Sequence, residues 1–488
     1  MTTAVLTTQT LRDVRKRGGM ALFAFVARAL EQVSTLVMTL LAARFLLPAE
    51  FGIFSLANVF VILVQTLIYT GIFQFILTAK GDEDLIVSTS FWLILMLVGG
   101  ASALLAAAAY PLQWVFATPE LGLVLLLLAL AQPVAALVAW SSATMLRRKH
   151  LARNFRFVFL ENLVALVSGA VLLWSWHSLY ALVAARYARI AFGAALFILG
   201  GRTWPRLTFS RPLARRAAIF SSNLYGSRLL AFLSRYAADV LLGLFHSPTD
   251  VGLYRFGNRI ATGATDVLSQ PMSNFASTQF GSAARQDLDL APPLARLSGT
   301  VALLTGMVGA VIIVFASDAV SALFQPSYLA AMVVTYAMGL RGVAGVGQIL
   351  VEPAFAALDR TSWVMAYNLV TAVASIAAVV AAAPFGIEVL AWTQAAVVFL
   401  STLWAFHLIR WKGGIRVSEA VWNFAMACLL ALAFGIVLHA MRQSGFVTDT
   451  HGAGIRLALH LAVSGLLALV VLLIAARLRV FSLEAFSG

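Results

Sequence analysis

This sequence is poor in acidic side chains and nearly without cysteine. Asp and Glu number 20 against 34 Lys and Arg in 488 residues, and charged residues of both signs make up only 11%. So little charge cannot cover the surface of a soluble domain, which excludes that class. The single cysteine, Cys428, excludes an intrachain disulfide and a cysteine metal cluster. Nucleotide-cradling glycine loops, Ser/His/Asp groupings and Cys/His metal spacings are all missing, and the seven histidines are scattered. No enzyme, metal or cofactor is expected from that pattern. Alternating strands of the barrel type are also lacking, so a closed β-barrel is excluded.

What is there is apolar: 61% of the residues, with a mean hydropathy of +0.92. The apolar residues come in runs long enough to cross the roughly 30 Å of bilayer hydrocarbon as helix. An all-α integral membrane protein with about 14 transmembrane helices follows. The spans fall near 20–44, 51–77, 86–110, 121–145, 157–176, 179–200, 217–245, 251–279, 297–323, 328–356, 362–383, 386–408, 419–440 and 455–476. The polar, basic start, residues 1–19, has no apolar core or cleavage site and reads as an N-terminal segment ahead of the first span, not a removable signal.

Basic residues cluster in alternate loops, among them Arg147, Arg148, Lys149, Arg153 and Arg156, and again Arg202, Arg206, Arg211, Arg215 and Arg216. By the positive-inside rule these loops and both termini are cytoplasmic, and an even span count agrees. The net charge of +14 therefore reflects topology and contact with anionic membrane lipids; no nucleic-acid partner is expected. The small acidic loops, 81–84 and 286–289, read as solvated turns.

The stretch 46–58, LLPAEFGIFSLAN, returns at 246–258 as HSPTDVGLYRFGN. Pro48 pairs with Pro248, Glu50 with Asp250, Gly52 with Gly252 and Asn58 with Asn258, and upstream Arg28 pairs with Arg228. This is an internal duplication. Six spans separate the copies, so both enter the membrane from the same side, giving two parallel six-helix lobes. The division is then an N-lobe at 20–200, a basic linker at 201–216, a C-lobe at 217–408 and two extra C-terminal helices within 409–488.

Charges inside spans are costly and usually face a cavity or a partner. Here they are Arg28 and Glu31; Arg186 and Arg189; Arg228, Arg235 and Asp239 on one helix face; Arg255, Arg259 and Asp266 on another; and Arg341 with Glu352. Arginine outnumbers acid. A guanidinium fork matches phosphate oxygens two at a time, so a cavity lined this way suits a phosphate-bearing anion. Arg28 and Arg228, equivalent in the repeat, form the outline of a clamp, with Asn58 and Asn258 as further binding candidates. Tyr236 and Tyr254 share these faces and could stack or hydrogen-bond. The competing reading is that charges only pair with each other, Arg28 with Glu31 and Arg235 with Asp239, to hold helices together.

On these residues, and on the stretches AARFLLPAEFGIFSLANVFVILVQTLIYTGIFQFIL, MLRRKHLARNFRF and DVLLGLFHSPTDVGLYRFGNRI, the sequence resembles the Wzx-type flippases. These are polysaccharide transporters of the multidrug/oligosaccharidyl-lipid/polysaccharide (MOP) exporter superfamily. The resemblance implies a carrier, not an enzyme, that moves a polyprenyl-pyrophosphate-linked oligosaccharide across a bacterial inner membrane for O-antigen, capsule or exopolysaccharide synthesis. It implies alternating access through a cationic cavity, with the lipid tail left in the bilayer, and polysaccharide polymerases as partners. Glu31, Asp239, Asp266 and Glu352 are then the ion-coupling candidates. A cation-coupled multidrug exporter of the same superfamily and a peptidoglycan lipid-precursor flippase are the alternative readings; the arginine excess argues against the first, whose cavity would be acidic.

Overall fold

The computed structural model describes residues 34–201, 204–444, 453–478 and 480–481. Among them there is no strand. The helices are α1 (Ser34–Phe45), α2 (Pro48–Leu67), α3 (Phe73–Thr78), α4 (Glu83–Val115), α5 (Leu121–Arg147), α6 (Leu151–Trp176), α7 (Tyr180–Ala194), α8 (Arg211–Phe245), α9 (Pro248–Arg285), α10 (Ala291–Leu323), α11 (Met332–Ala344), α12 (Val346–Ala357), α13 (Ser362–Ala382), α14 (Ile387–Trp411), α15 (Ser418–Gln443) and α16 (Ala453–Arg477). A π-helical turn, Ile68–Ile72, joins α2 to α3, and a second one, Ala195–Gly200, extends α7.

Eleven segments among the described residues are long and apolar enough to cross a membrane, and each coincides with an expected span. The protein is a multi-pass membrane protein. Expected spans at 217–245 and 251–279 are helical, inside α8 and α9, but neither reaches the hydropathy of the eleven. The cause is their charge: Arg228, Arg235 and Asp239 interrupt α8, and Arg255, Arg259 and Asp266 interrupt α9. Of the first expected span only Ser34–Phe45 lies within the described residues.

The chain divides into two compact units, Met1–Leu46 with Ile53–Phe232, and Leu47–Gly52 with Leu233–Gly488. In the first, α4 packs along α5, α6 packs along α7, and α5 also meets α7 and α3. Trp140 of α5 is fully buried, donates its indole N–H to the Val87 carbonyl at 2.9 Å and takes the edge of Phe91 at 5.0 Å. Where α2 gives way to the π turn, the Leu67 carbonyl accepts the Tyr225 hydroxyl of α8 at 3.0 Å. An inserted residue loosens a helix's own ladder, and this hydroxyl supplies a partner there. Gly71 admits the contact: a Cβ on it would stand 2.4 Å from Ser221 Cβ.

The acidic loop at 81–84 is more than a solvated turn. The Asp82 carboxylate caps α4 by accepting the backbone N–H of Asp84 at 3.0 Å, satisfying a donor that the first helical turn leaves open. Glu83 pairs with Arg148 at 2.8 Å and Asp84 with Arg206 at 2.8 Å. Arg147 donates to the carbonyls of Ile76 and Ala79, the latter at 2.9 Å, where cations favour the C-terminal end of α3. Part of the basic cluster is thus committed to holding helix ends.

In the second unit α10 is the central element, packed most extensively by α15 and also by α9, α11 and α16. Ser298 donates to the Ala420 carbonyl at 2.9 Å and Asn423 to the Ala295 carbonyl at 3.0 Å. At the other end Arg442 of α15 reaches the Val314 carbonyl, Ser317 and Asp318, the last at 2.7 Å. Most of α16 and α13 is left uncovered. In lipid such apolar surface needs no protein partner.

The two copies of the repeat meet inside this unit. Leu47 N–H donates to the Glu50 carboxylate at 3.1 Å, and Ser247 N–H to the Asp250 carboxylate at 3.2 Å, each with Pro at the first helical position as capping geometry favours. One turn on, the helix starts cross at their glycines. A Cβ on Gly52 would lie 1.7 Å from the Pro248 carbonyl oxygen, and one on Gly252 would lie 2.0 Å from that of Pro48. Only glycine permits this approach.

Candidate anion-binding sites in the two units

In the first unit the charged residues gather where α2, α6 and α7 face one another. Arg186 donates to Asn58 Oδ1 at 2.9 Å, linking α7 to α2. One turn along α7, Arg189 Nε donates to Glu161 Oε1 of α6 at 2.8 Å. The Glu161 side chain is only 13% exposed and Arg189 is 37% exposed, so the carboxylate is the more buried partner and needs this cation. Arg186 sits within electrostatic range of both Arg189 and Tyr69. Among the described side chains, Arg186 and Arg189 thus both lie within electrostatic reach of Glu161.

In the second unit Asp239 of α8 is buried, with its side chain 1% exposed, and its Oδ2 stands 3.3 Å from Arg255 of α9. Arg255 in turn lies over the Tyr236 ring, 5.1 Å from its centroid, an arrangement favourable to a cation. Tyr254, beside Arg255, donates its hydroxyl to Gln394 of α14 at 2.7 Å and feels the charges of Asp239, Arg255 and Arg341. Arg259 follows Arg255 by one helical turn. Among the described residues, Asp239 Oδ1 and Asn258 Oδ1 are buried without a hydrogen-bond partner. Among the described side chains here, Arg255 and Arg341 stand with one carboxylate, Asp239, around Tyr254.

The sequence-derived candidates distribute as follows. Asn58 and Arg186 come together, as do Asp239 and Arg255, with Arg259, Asn258 and Arg341 on the same helices as the second pair or on the adjacent α11. Arg228 and Arg235 are exposed on α8, and Glu352 is exposed on α12. The pairing of Arg235 with Asp239 is not the one formed: Asp239 meets Arg255 of the next helix. Arg28 and Glu31 lie outside the described residues, as does the side chain of Asp266. Glu161 and Gln394 were not anticipated. Glu161, the sole acid in the apolar run of α6, carried the same signal as the acids that were singled out. No group of three or more His, Cys, Asp and Glu able to hold a metal occurs among the described residues.

A family model described as "Polysaccharide biosynthesis protein" matches residues 41–332, more than half of the sequence. No curated protein is significantly similar in sequence. Among solved structures, the fold superposes on the lipid II flippase MurJ in an inward closed conformation with a TM-score of 0.72. The identity is 10%, and the match covers 93% of this chain and 99% of that one. It also superposes on an inward-facing multidrug resistance MATE family transporter of the MOP superfamily, with a TM-score of 0.60, 13% identity, and 80% and 98% of the two chains covered. At these identities the likeness concerns the fold, which is that of MOP-type membrane transporters.

Proposed function

The chain belongs to the polysaccharide biosynthesis protein family, and on that premise we propose that it is a flippase for a polyprenyl-pyrophosphate-linked oligosaccharide. The observation that carries the reading is the arginine excess among the charged residues of the spans, Arg28, Arg186, Arg189, Arg228, Arg235, Arg255, Arg259 and Arg341 against Glu31, Glu161, Asp239, Asp266 and Glu352, with Arg186 held on Asn58 and Arg255 on Asp239. A cation-exporting cavity would need the opposite sign, whereas a pyrophosphate offers several acceptor oxygens to paired guanidinium forks. Desolvated arginine also gains more from an anion than it would in water.

In this reading the head group crosses from the cytoplasmic to the outer leaflet of a bacterial inner membrane by alternating access. Arg28, Arg228, Arg186 and Arg255 take the phosphate oxygens, and Asn58, Asn258, Tyr236 and Tyr254 meet the sugars or orient the arginines. Asp239 is the acid best suited to couple an ion, because its carboxylate is buried against a single cation, Arg255. Both termini are cytoplasmic, the lobes are 20–200 and 217–408, and polysaccharide polymerases receive the product.

The test is the leaflet distribution of lipid-linked oligosaccharide in cells carrying Arg28→Ala together with Arg228→Ala at matched protein level. We expect accumulation on the cytoplasmic leaflet and at least about a tenfold loss of surface polysaccharide, which corresponds to the loss of one good charge-assisted contact. Normal surface polysaccharide in that strain would remove these arginines from the mechanism; normal polysaccharide in a strain lacking the protein would remove the function.

A further inference from the structure

A second feature of the C-terminal unit is apolar. Helices α10, α11, α14 and α15 enclose a cavity of about 660 Å³. Its floor is made of small residues, with Gly306 and Gly309 on α10 and Gly339 on α11. These glycines also let the helices close on each other: a Cβ on Gly309 would lie 2.7 Å from the Gly339 carbonyl oxygen. The rim carries Trp392 and Phe399 of α14 and Ile436 of α15, each more than 40% exposed. Apart from Cys428 and His439 the lining has no polar side chain.

Three features define the occupant. The walls belong to segments apolar enough to lie in hydrocarbon, so the medium reaching the cavity is lipid, and a void left empty there would forfeit the dispersion contacts of its lining. The cavity runs along α15 from Cys428 to His439, which at about 1.5 Å per residue is about 16 Å, close to half of the roughly 30 Å hydrocarbon core. Its polarity rises at one end only. There Trp392 stands one turn into α14, His439 shares a hydrogen bond with Gln443 at 2.9 Å, and Arg442 is fixed on Asp318. An aromatic ring beside polar and cationic groups is the signature of the membrane interface.

We propose that this cavity binds one acyl chain of a bilayer phospholipid, inserted from the Trp392/His439 end with its phosphate beside Arg442 and His439. A chain confined to one leaflet matches the length; a polyprenyl tail is longer than a leaflet and would outrun it. Arg255, Arg259 and Arg341 do not line the cavity, and the assignment does not rest on the substrate proposed for them.

The probe is a phosphatidylglycerol carrying a diazirine near the end of one acyl chain, mixed into phosphatidylethanolamine vesicles holding the purified protein. After illumination, labelled peptides are mapped by mass spectrometry. We expect labelling of the peptides lining the cavity on α11, α14 and α15 at least about tenfold above that of the exposed face of α16, a preference equal to one decade in affinity. Ala396→Trp and Ile436→Trp, which fill the cavity, should each reduce that labelling by a similar factor. Leu466→Trp, on the exposed face of α16, should leave it unchanged. Even labelling of all lipid-facing helices would overturn the proposal, as would labelling that survives both filling substitutions in correctly sized protein. Displacement of the probe by stoichiometric polyprenyl phosphate would overturn it too, reassigning the cavity to the longer chain.

Discussion

Gly52→Ala is expected to lose about 3 kcal/mol or more, enough to send most of the protein to aggregate in fluorescence-detected gel filtration. The added methyl would stand 1.7 Å from the Pro248 carbonyl oxygen, with the Gly252 backbone nitrogen 2.9 Å away. Backbone cannot step aside as a flexible side chain can, and both helix starts are pinned by their Pro and their acid caps. Gly252→Ala should behave alike, because its methyl would meet the Pro48 carbonyl oxygen at 2.0 Å. Gly99→Ala and Gly100→Ala give the contrast. Those glycines lie inside α4 with nothing within 4 Å of an added Cβ, so alanine there should stabilise by about 0.5–1 kcal/mol through helix propensity. Apparent melting temperatures of the four variants should therefore split in sign.

Arg255→Ala is expected to destabilise the C-terminal unit more than Asp239→Ala does. Removing the arginine leaves a carboxylate that is 1% exposed without its cation, a loss of about 3–5 kcal/mol for a buried pair broken from one side. Removing the acid leaves Arg255 20% exposed and still over the Tyr236 ring, where a guanidinium keeps part of its stabilisation. Asp239→Asn combined with Arg255→Gln should recover most of the stability lost by Arg255→Ala, since neither partner then carries an unpaired charge. Thermal melting in detergent checks the order of the three. Equal losses for both single alanine variants would mean that the pair does not hold Asp239 in its ionised form.

Much of this architecture could be read from the sequence because lipid imposes a simple rule: a span is a long apolar run with its backbone bonds satisfied within it. The repeat was legible for a different reason. Pro48, Glu50 and Gly52 recur with their spacing intact as Pro248, Asp250 and Gly252, and the turn they specify recurs with its hydrogen bond, Leu47 to Glu50 and Ser247 to Asp250. What did not come through was the pairing of charges between helices. Helical periodicity puts Asp239 one turn from Arg235 on α8, which is why that pair was the natural alternative. The observed partner, Arg255, depends on how α8 meets α9, and spacing within one helix carries no information about that. Glu161 carries the in-span charge that marks a candidate, but its partner Arg189 is set by how α6 meets α7, which spacing within α6 does not show. The acidic loop looked solvated because its partners, Arg148 and Arg206, are brought to it by the fold. In α8 and α9 the residues that mark a site are also those that lower the hydropathy of the helices bearing them.

The central claim, that this protein moves a pyrophosphate-linked glycan between leaflets, is most directly tested with the purified protein in sealed vesicles. Polyprenyl-pyrophosphate oligosaccharide would be loaded into both leaflets and the outer-facing glycan trimmed by an added glycosidase. Protein-containing vesicles should expose nearly all of the glycan to the enzyme, protein-free vesicles about half, and vesicles with Arg186→Gln together with Arg255→Gln should resemble the protein-free ones. Half-exposure with the intact, folded protein under an imposed ion gradient and membrane potential would contradict the account.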